Sequence, residues 1–222
     1  MTRYAQKVAP PANKPSTNSI SSGQVLHCPY SFDKAKLITR EMADMLALDL
    51  VDKGLMTDQI VLTIGFDIEN LKDPAIRKQY HGAVTTDYYG REVPKHAHGT
   101  ANLGRHTSST KRIMEATSEL FDRIVDRNLL IRRINVTANH VIDEAAVSKE
   151  PEPEQLNLFT DYEAEEAKRK AETAELERER KMQLTMLTIK KRYGKNAILK
   201  GMNFEEGATA KDRNSQIGGH KA

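Results

Sequence analysis

The chain has 222 residues, of which 38% are hydrophobic and 29% charged, with one cysteine and a formal net charge of +3. This length holds one ordinary domain with appendages, and the lean apolar content leaves part of the chain outside any core. Cys28 alone excludes an internal disulfide and an ordinary zinc ribbon, and no run approaches the roughly 18 apolar residues of a membrane span or the apolar core of a secretory signal, so a cytoplasmic protein is expected.

Residues 1–18 are short of large apolar side chains and carry Pro10, Pro11 and Pro15, which predicts a disordered linker. Ser19 to Tyr30 reads as a strand. Phe32 to Lys53 reads as a helix, with Ile38, Met42, Met45, Leu46 and Leu50 on a single buried face and Gly54 as its stop. Gln59 to Asp67 is β-branched and alternating, a strand; Asn70 to Pro94 reads as an irregular insertion with weak strand character. Gly99 to Thr107 forms a third strand. Ser108 or Ser109 caps a second helix to about Asn128, with Ile113, Leu120, Phe121 and Ile124 on its apolar face, and Ile131 to Val141 is the last strand.

The order β-α-β-β-α-β predicts an α+β two-layer sandwich over residues 19–144, a four-stranded sheet with two helices on one face. The other face is left open. In the last strand Ile134 and Val136 point one way, while Arg133, Asn135, Thr137 and Asn139 take the opposite side. Thr63, Arg105 and Thr107 join that polar side in one of the two registers open to the third strand.

Acidic residues crowd into Asp143 to Glu179, so the near-neutral total hides a basic front half. Residues 145–160 form a Pro/Glu linker that carries the apolar cluster QLNLF at Gln155 to Phe159. Residues 161–192 read as a charged, solvated helix that gains apolar surface only at Met182, Leu184, Met186, Leu187 and Ile189. Residues 193–222 are a basic, Gly-rich tail without clear periodicity.

Four segments, SISSGQV, DLVDKGLMTDQIVLTIGFD, GTANLGRHTSSTKRI and LIRRINV, resemble the little-finger domain of bacterial Y-family translesion DNA polymerases of the DinB/UmuC/ImpB-MucB-SamB type. That module clasps template–primer duplex. The resemblance implies phosphate contacts at Arg105, Thr107, Ser108, Arg132 and Arg133, and at Ser21, Ser22 and Gly23; cations with short hydroxyl and amide donors hold a backbone without reading its sequence. QLNLF resembles the Gln-Leu-x-Leu-Phe peptide by which bacterial polymerases dock on the sliding clamp. Leu156, Leu158 and Phe159 would fill an apolar pocket and the Gln155 amide would orient them; the alternative is that these side chains fold back onto the domain. IKKRYGKNAILKG, at Ile189 to Gly201, resembles the C-terminal signature of the UmuC-like branch used in the SOS response. A helix end capped by Gly194 accounts for it equally well.

No palm carboxylates are recognisable, so the expected function is a non-catalytic DNA-gripping and clamp-binding portion of a translesion polymerase. Its Mg²⁺ would belong to a palm domain encoded upstream or supplied in trans. The alternative is a stand-alone regulator that occupies the clamp and excludes other polymerases. His96 and His98 lack further ligands at a familiar spacing, and no metal or cofactor is expected in this chain. An RNA-binding βα sandwich fits less well, because the strands lack the aromatic pair that stacks bases.

Overall fold

A computed structural model describes residues 18–147, 162–217 and 220–221. Of the linker expected at residues 1–18, residues 1–17 lie outside them, as does the peptide from Gln155 to Phe159. In chain order the elements are β1 (Ile20–Tyr30), α1 (Phe32–Asp52), β2 (Leu55–Phe66), α2 (Glu69–Lys72), α3 (Pro74–Gln79), β3 (Val84–Thr86), β4 (Glu92–Pro94), β5 (Ala97–Thr107), α4 (Thr110–Ile124), β6 (Ile131–Asn139) and β7 (Ile142–Asp143). A 3₁₀ turn (Glu144–Ala146) follows. The C-terminal part comprises α5 (Tyr162–Tyr193), a second 3₁₀ turn (Gly201–Phe204), α6 (Ala210–Asn214), β8 (Gln216–Ile217) and β9 (His220–Lys221).

The four long strands form an antiparallel sheet in the order β1-β6-β2-β5, with the short β7 beside β2. This is the expected α+β sandwich. Ile60, Leu62 and Ile64 of β2 and Ile134, Val136 and Ala138 of β6 leave the sheet on one side, where they meet Ile38, Met42, Leu46 and Leu50 of α1 and Ile113, Leu120 and Phe121 of α4. Burial of these alternating side chains is the main apolar term holding the two layers together. On β5 the inward positions are small, because α4 packs close: a Cβ added at Gly99 would lie 2.9 Å from both Leu120 and Ile124.

Three expectations are corrected. Residues 70–94 are ordered rather than irregular, as two short helices and the β3–β4 hairpin. The buried Asn70 ties them in: its side-chain amide donates to the carbonyls of Asp67 and Leu130 (2.9 and 2.8 Å), and its carbonyl accepts from Leu130 N–H at 2.7 Å. The second helix stops at Ile124, not Asn128, because Val125 turns extended and packs into the core. The third correction concerns α1, which is buried on more than one face.

The C-terminal tail covers the outer side of α1. Glu41, at 1% exposure, accepts from Asn203 Nδ2 (2.7 Å) and from the backbone N–H groups of Thr209 (2.9 Å) and Ala210 (3.0 Å). Lys200 reaches Asp44 at 2.6 Å, and Arg213 donates to the Gln24 side chain of β1 at 2.9 Å. Burial pushes the Arg213 guanidinium below its ordinary value. Gly194, in the left-handed region at φ 98°, ends α5, its N–H donating to Lys190 O at 3.0 Å, and turns the chain toward α1. A buried carboxylate on a helix is costly unless donors surround it, and the tail brings those donors. Glu41→Ala therefore leaves the buried Ala210 N–H and the half-buried Thr209 N–H without their acceptor; it is expected to cost about 1–3 kcal/mol and to open the tail to limited proteolysis, read by thermal melting and by mapping of the cleavage sites.

Candidate nucleic-acid interface

The sheet face opposite α1 and α4 is uncovered among the described residues and carries a network of polar side chains across all four strands. Ser21 of β1 donates to Asn135 Oδ1 at 2.8 Å and lies 2.9 Å from Thr137 Oγ1, both on β6. Asn139 of β6 donates to Gln59 Oε1 of β2 at 3.1 Å, and the Gln59 amide donates in turn to Asn102 Oδ1 of β5 at 3.0 Å. Thr63 of β2 sits 2.9 Å from His98 Nδ1 of β5. Cross-strand pairing holds these short donors and acceptors in a fixed array.

The cation of this face is Arg133. It is exposed and has no side-chain partner among the described residues. Opposite it on β2 stands Gly65, where an added Cβ would come within 3.1 Å of Arg133 Cβ, so the glycine leaves room for the arginine to lie over the strand. A register shift between Ile131 and Arg133 sends Arg132 elsewhere. Its guanidinium faces the buried Asp67 at 3.7 Å. Both arginines line a cleft of about 510 Å³ whose far wall is the β3–β4 hairpin. At the hairpin tip Tyr88 and Tyr89 are 95% and 75% exposed, and Arg91, held by Asp87 through two hydrogen bonds of 2.8 and 2.6 Å, lies 5.0 Å over the Tyr89 ring.

A second group of expected contacts lies at the corner where β5 becomes α4. One residue of β2, Asp58, faces four of β5 between the pairs Thr57–Thr107 and Gln59–Asn102, and Gly104 at φ 76° lets the chain bulge there. Thr107 and Ser108 are buried beyond the bulge. Ser109 caps α4, accepting from Arg112 N–H at 3.3 Å.

Helix α5 covers this corner. Arg105 and Arg112 converge on the Glu172 carboxylate. Lys111 Nζ meets Glu175 at 2.8 Å, and Glu179 accepts from Ser109 Oγ at 2.6 Å and Lys111 N–H at 2.9 Å. Gln183 donates to Ser108 O at 2.9 Å and Thr110 Oγ1 at 2.8 Å, and Arg180 pairs with Glu144. Hydrogen bonding between Lys111 and Glu175 raises the ammonium pKa and lowers that of the carboxyl, whereas burial pushes Arg112 below its ordinary value. Residues 166–171 of α5 are exposed, as expected of a solvated helix, but Glu172 and Glu175 beyond them are held by the corner; the buried residue farther on is Gln183, while Met182 and Leu184 stay exposed.

Of the residues singled out in the sequence, Ser21, Gly23 and Arg133 share the open face. Ser22 does not: it pairs across from the buried Val136 and points to the helix side, since neighbours on a strand take opposite faces. Thr107 and Ser108 are not on the open face either, and Arg105 is engaged by α5. Gln59, His98, Thr100 and Asn102 complete the polar face and were missed. The alternation of Ala97, Gly99, Ala101 and Leu103 with His98, Thr100 and Asn102 was the signal that fixes the register.

Fold and sequence define the class: the chain carries the C-terminal domain found in Y-family DNA polymerases, and it belongs to the impB/mucB/samB family, whose C-terminal-domain model matches residues 17–158. Similar to it is DNA polymerase IV 2 of Halalkalibacterium halodurans, 28% identical over 129 residues, or 58% of this chain and 26% of that protein. The chain thus spans about a quarter of that relative's length. All of α5 and the tail follow the family match. No helix among the described residues is long and apolar enough to cross a membrane.

The hold of α5 on the corner has a measurable centre in Gln183, which is 3% exposed. Gln183→Leu leaves Ser108 O without its donor and is expected to destabilise by about 1–3 kcal/mol, with faster hydrogen exchange at residues 108–112 and along α5.

Proposed function

We propose that this chain grips template–primer duplex for translesion synthesis and docks on the bacterial sliding clamp, without forming a polymerase active site itself. The open sheet face supports this most directly: a cross-strand array of hydroxyl and amide groups flanked by the unpaired Arg133. Such a surface suits phosphate oxygens, which accept from short donors and attract a cation whatever the base sequence. The carboxylates and Mg²⁺ that carry out phosphoryl transfer belong, on this reading, to a palm domain. Work in the cytoplasm during the SOS response agrees with the UmuC-like tail signature.

The clamp contact is carried by Gln155, Leu156, Leu158 and Phe159. Each buried side chain contributes roughly 1.5–3 kcal/mol gross, and ordering the peptide opposes this by about 2–5 kcal/mol, so the peptide alone binds weakly. Non-specific duplex affinity is also modest, about 10⁻⁴–10⁻⁶ M at physiological salt. Joined in one chain, each contact holds the other at an effective concentration on the order of millimolar.

Titration of duplex DNA is expected to show log K falling with log salt by about 0.9 per phosphate contacted. Arg133→Ala should reduce that slope by about one contact's worth and weaken every duplex sequence alike. An affinity indifferent to salt rejects the DNA grip. In a pull-down on immobilised clamp, changing Leu158 and Phe159 together to Ala should abolish retention; undiminished retention removes the peptide from the account.

A further inference from the structure

The β5–α4 corner combines the features by which proteins hold anions: the guanidinium groups of Arg105 and Arg112, the Lys111 ammonium and its backbone N–H, and the Ser109 hydroxyl at the first turn of a helix. In this structure anions already occupy it. Glu172, Glu175 and Glu179 recur at i, i+3 and i+7, which places them along one face of α5 with axial rises of about 4.5 and 6 Å between them. Each meets a different part of the corner: Glu172 the two arginines, Glu175 the lysine, Glu179 the hydroxyl and the helix N–H.

The two ends of α5 are held differently. Toward its C-terminus it is fixed by the buried Gln183, by Lys191 against Asp52, and by the tail folded over α1. Toward its N-terminus the polar contacts with the domain are ionic and partly exposed, with the half-buried Leu176 the apolar side chain beside them: Glu172 and Glu175 are 40% and 62% exposed, and Glu166 pairs within its own helix, with Lys170 at 2.7 Å. Partly exposed ion pairs are individually weak and screened by salt. The same cations facing a duplex backbone gain the entropy of released counterions, a term the protein carboxylates do not supply. The contact is therefore built to be exchanged.

We propose that the N-terminal half of α5 is an intramolecular stand-in for the DNA backbone, which seats its carboxylates on Arg105, Lys111 and Arg112 and yields them when duplex phosphates arrive. The inference rests on the duplex-gripping function proposed above and adds that the grip has two states. With α5 seated, the sheet face alone meets DNA; with α5 displaced, the corner joins it.

Four full-length proteins test this: the natural chain, Glu172→Gln with Glu175→Gln, and each of these carrying Arg105→Ala with Arg112→Ala. A charge-matched control, Glu166→Gln with Glu206→Gln, removes two exposed carboxylates that pair away from the corner, with Lys170 and Lys34. Duplex affinity is measured for all five, and circular dichroism confirms equal helix content. The unmasked protein is expected to bind about 5–150-fold tighter, the range of ordinary coupling between sites, with a salt slope larger by up to about 0.9 per added phosphate contact. Arg105→Ala with Arg112→Ala should erase that gain and barely affect the natural chain, and the control should bind within about twofold of it. Equal affinity of the unmasked and natural proteins, or an equal gain in the control, overturns the masking. If the two arginines weaken the natural chain as much as the unmasked one, DNA already uses the corner and only the masking fails. A gain that persists without the arginines means that the corner takes no phosphate, and the fault then lies in the assigned DNA contacts.

Discussion

A strand hands alternate side chains to opposite faces, and nearly everything in this domain depends on how that constraint is met. On β2 and β6 one face receives Ile60, Leu62, Ile64, Ile134, Val136 and Ala138 and closes against α1 and α4. The same register puts Gln59, Thr63, Asn135, Thr137 and Asn139 on the other side, where they bond to one another and to neighbouring strands. The polar face is the obligate complement of the core. A one-residue slip would bury the amides and expose the isoleucines together, so the packing that stabilises the fold also fixes the surface that faces solvent.

Two departures from strict alternation shape the surface further. The irregularity between Ile131 and Arg133 separates adjacent arginines, one toward Asp67 and the other onto the open face. The bulge at residues 103–106 ends the flat part of β5 and lifts the chain into the corner over which α5 passes. Bulges re-aim side chains in this way at sheet margins. Here they divide the candidate interface into an exposed plane and an occupied corner.

The β-α-β-β-α-β order and the two-layer packing were legible because α4, β2 and β6 have strong periodicity. So was the polar row from Arg133 to Asn139. The corner was not legible: local pattern does not reveal that Thr107 and Ser108 lie under a helix more than sixty residues later, and a charged segment such as 162–180 reads as solvated when its partners are distant. Ser22 was carried over beside Ser21 from the family resemblance, although strand alternation assigns it to the other face. The tail had no readable period because its order comes from Glu41 and Asp44, two acidic residues whose burial no helix pattern announces.

Strand order also governs how the chain assembles. β1 pairs with β6, joining Ile20 to Ala138 and Ser21 to Thr137, so the sheet closes only after most of the domain has left the ribosome. Pairings this distant in sequence form late and slowly. Glu41 waits longer still, since two of its donors, Thr209 and Ala210, follow the end of β6 by about seventy residues. Until they arrive the outer side of α1 remains hydrated and its acidic groups keep the nascent intermediate charged, which opposes self-association during the interval when the apolar layer is newest.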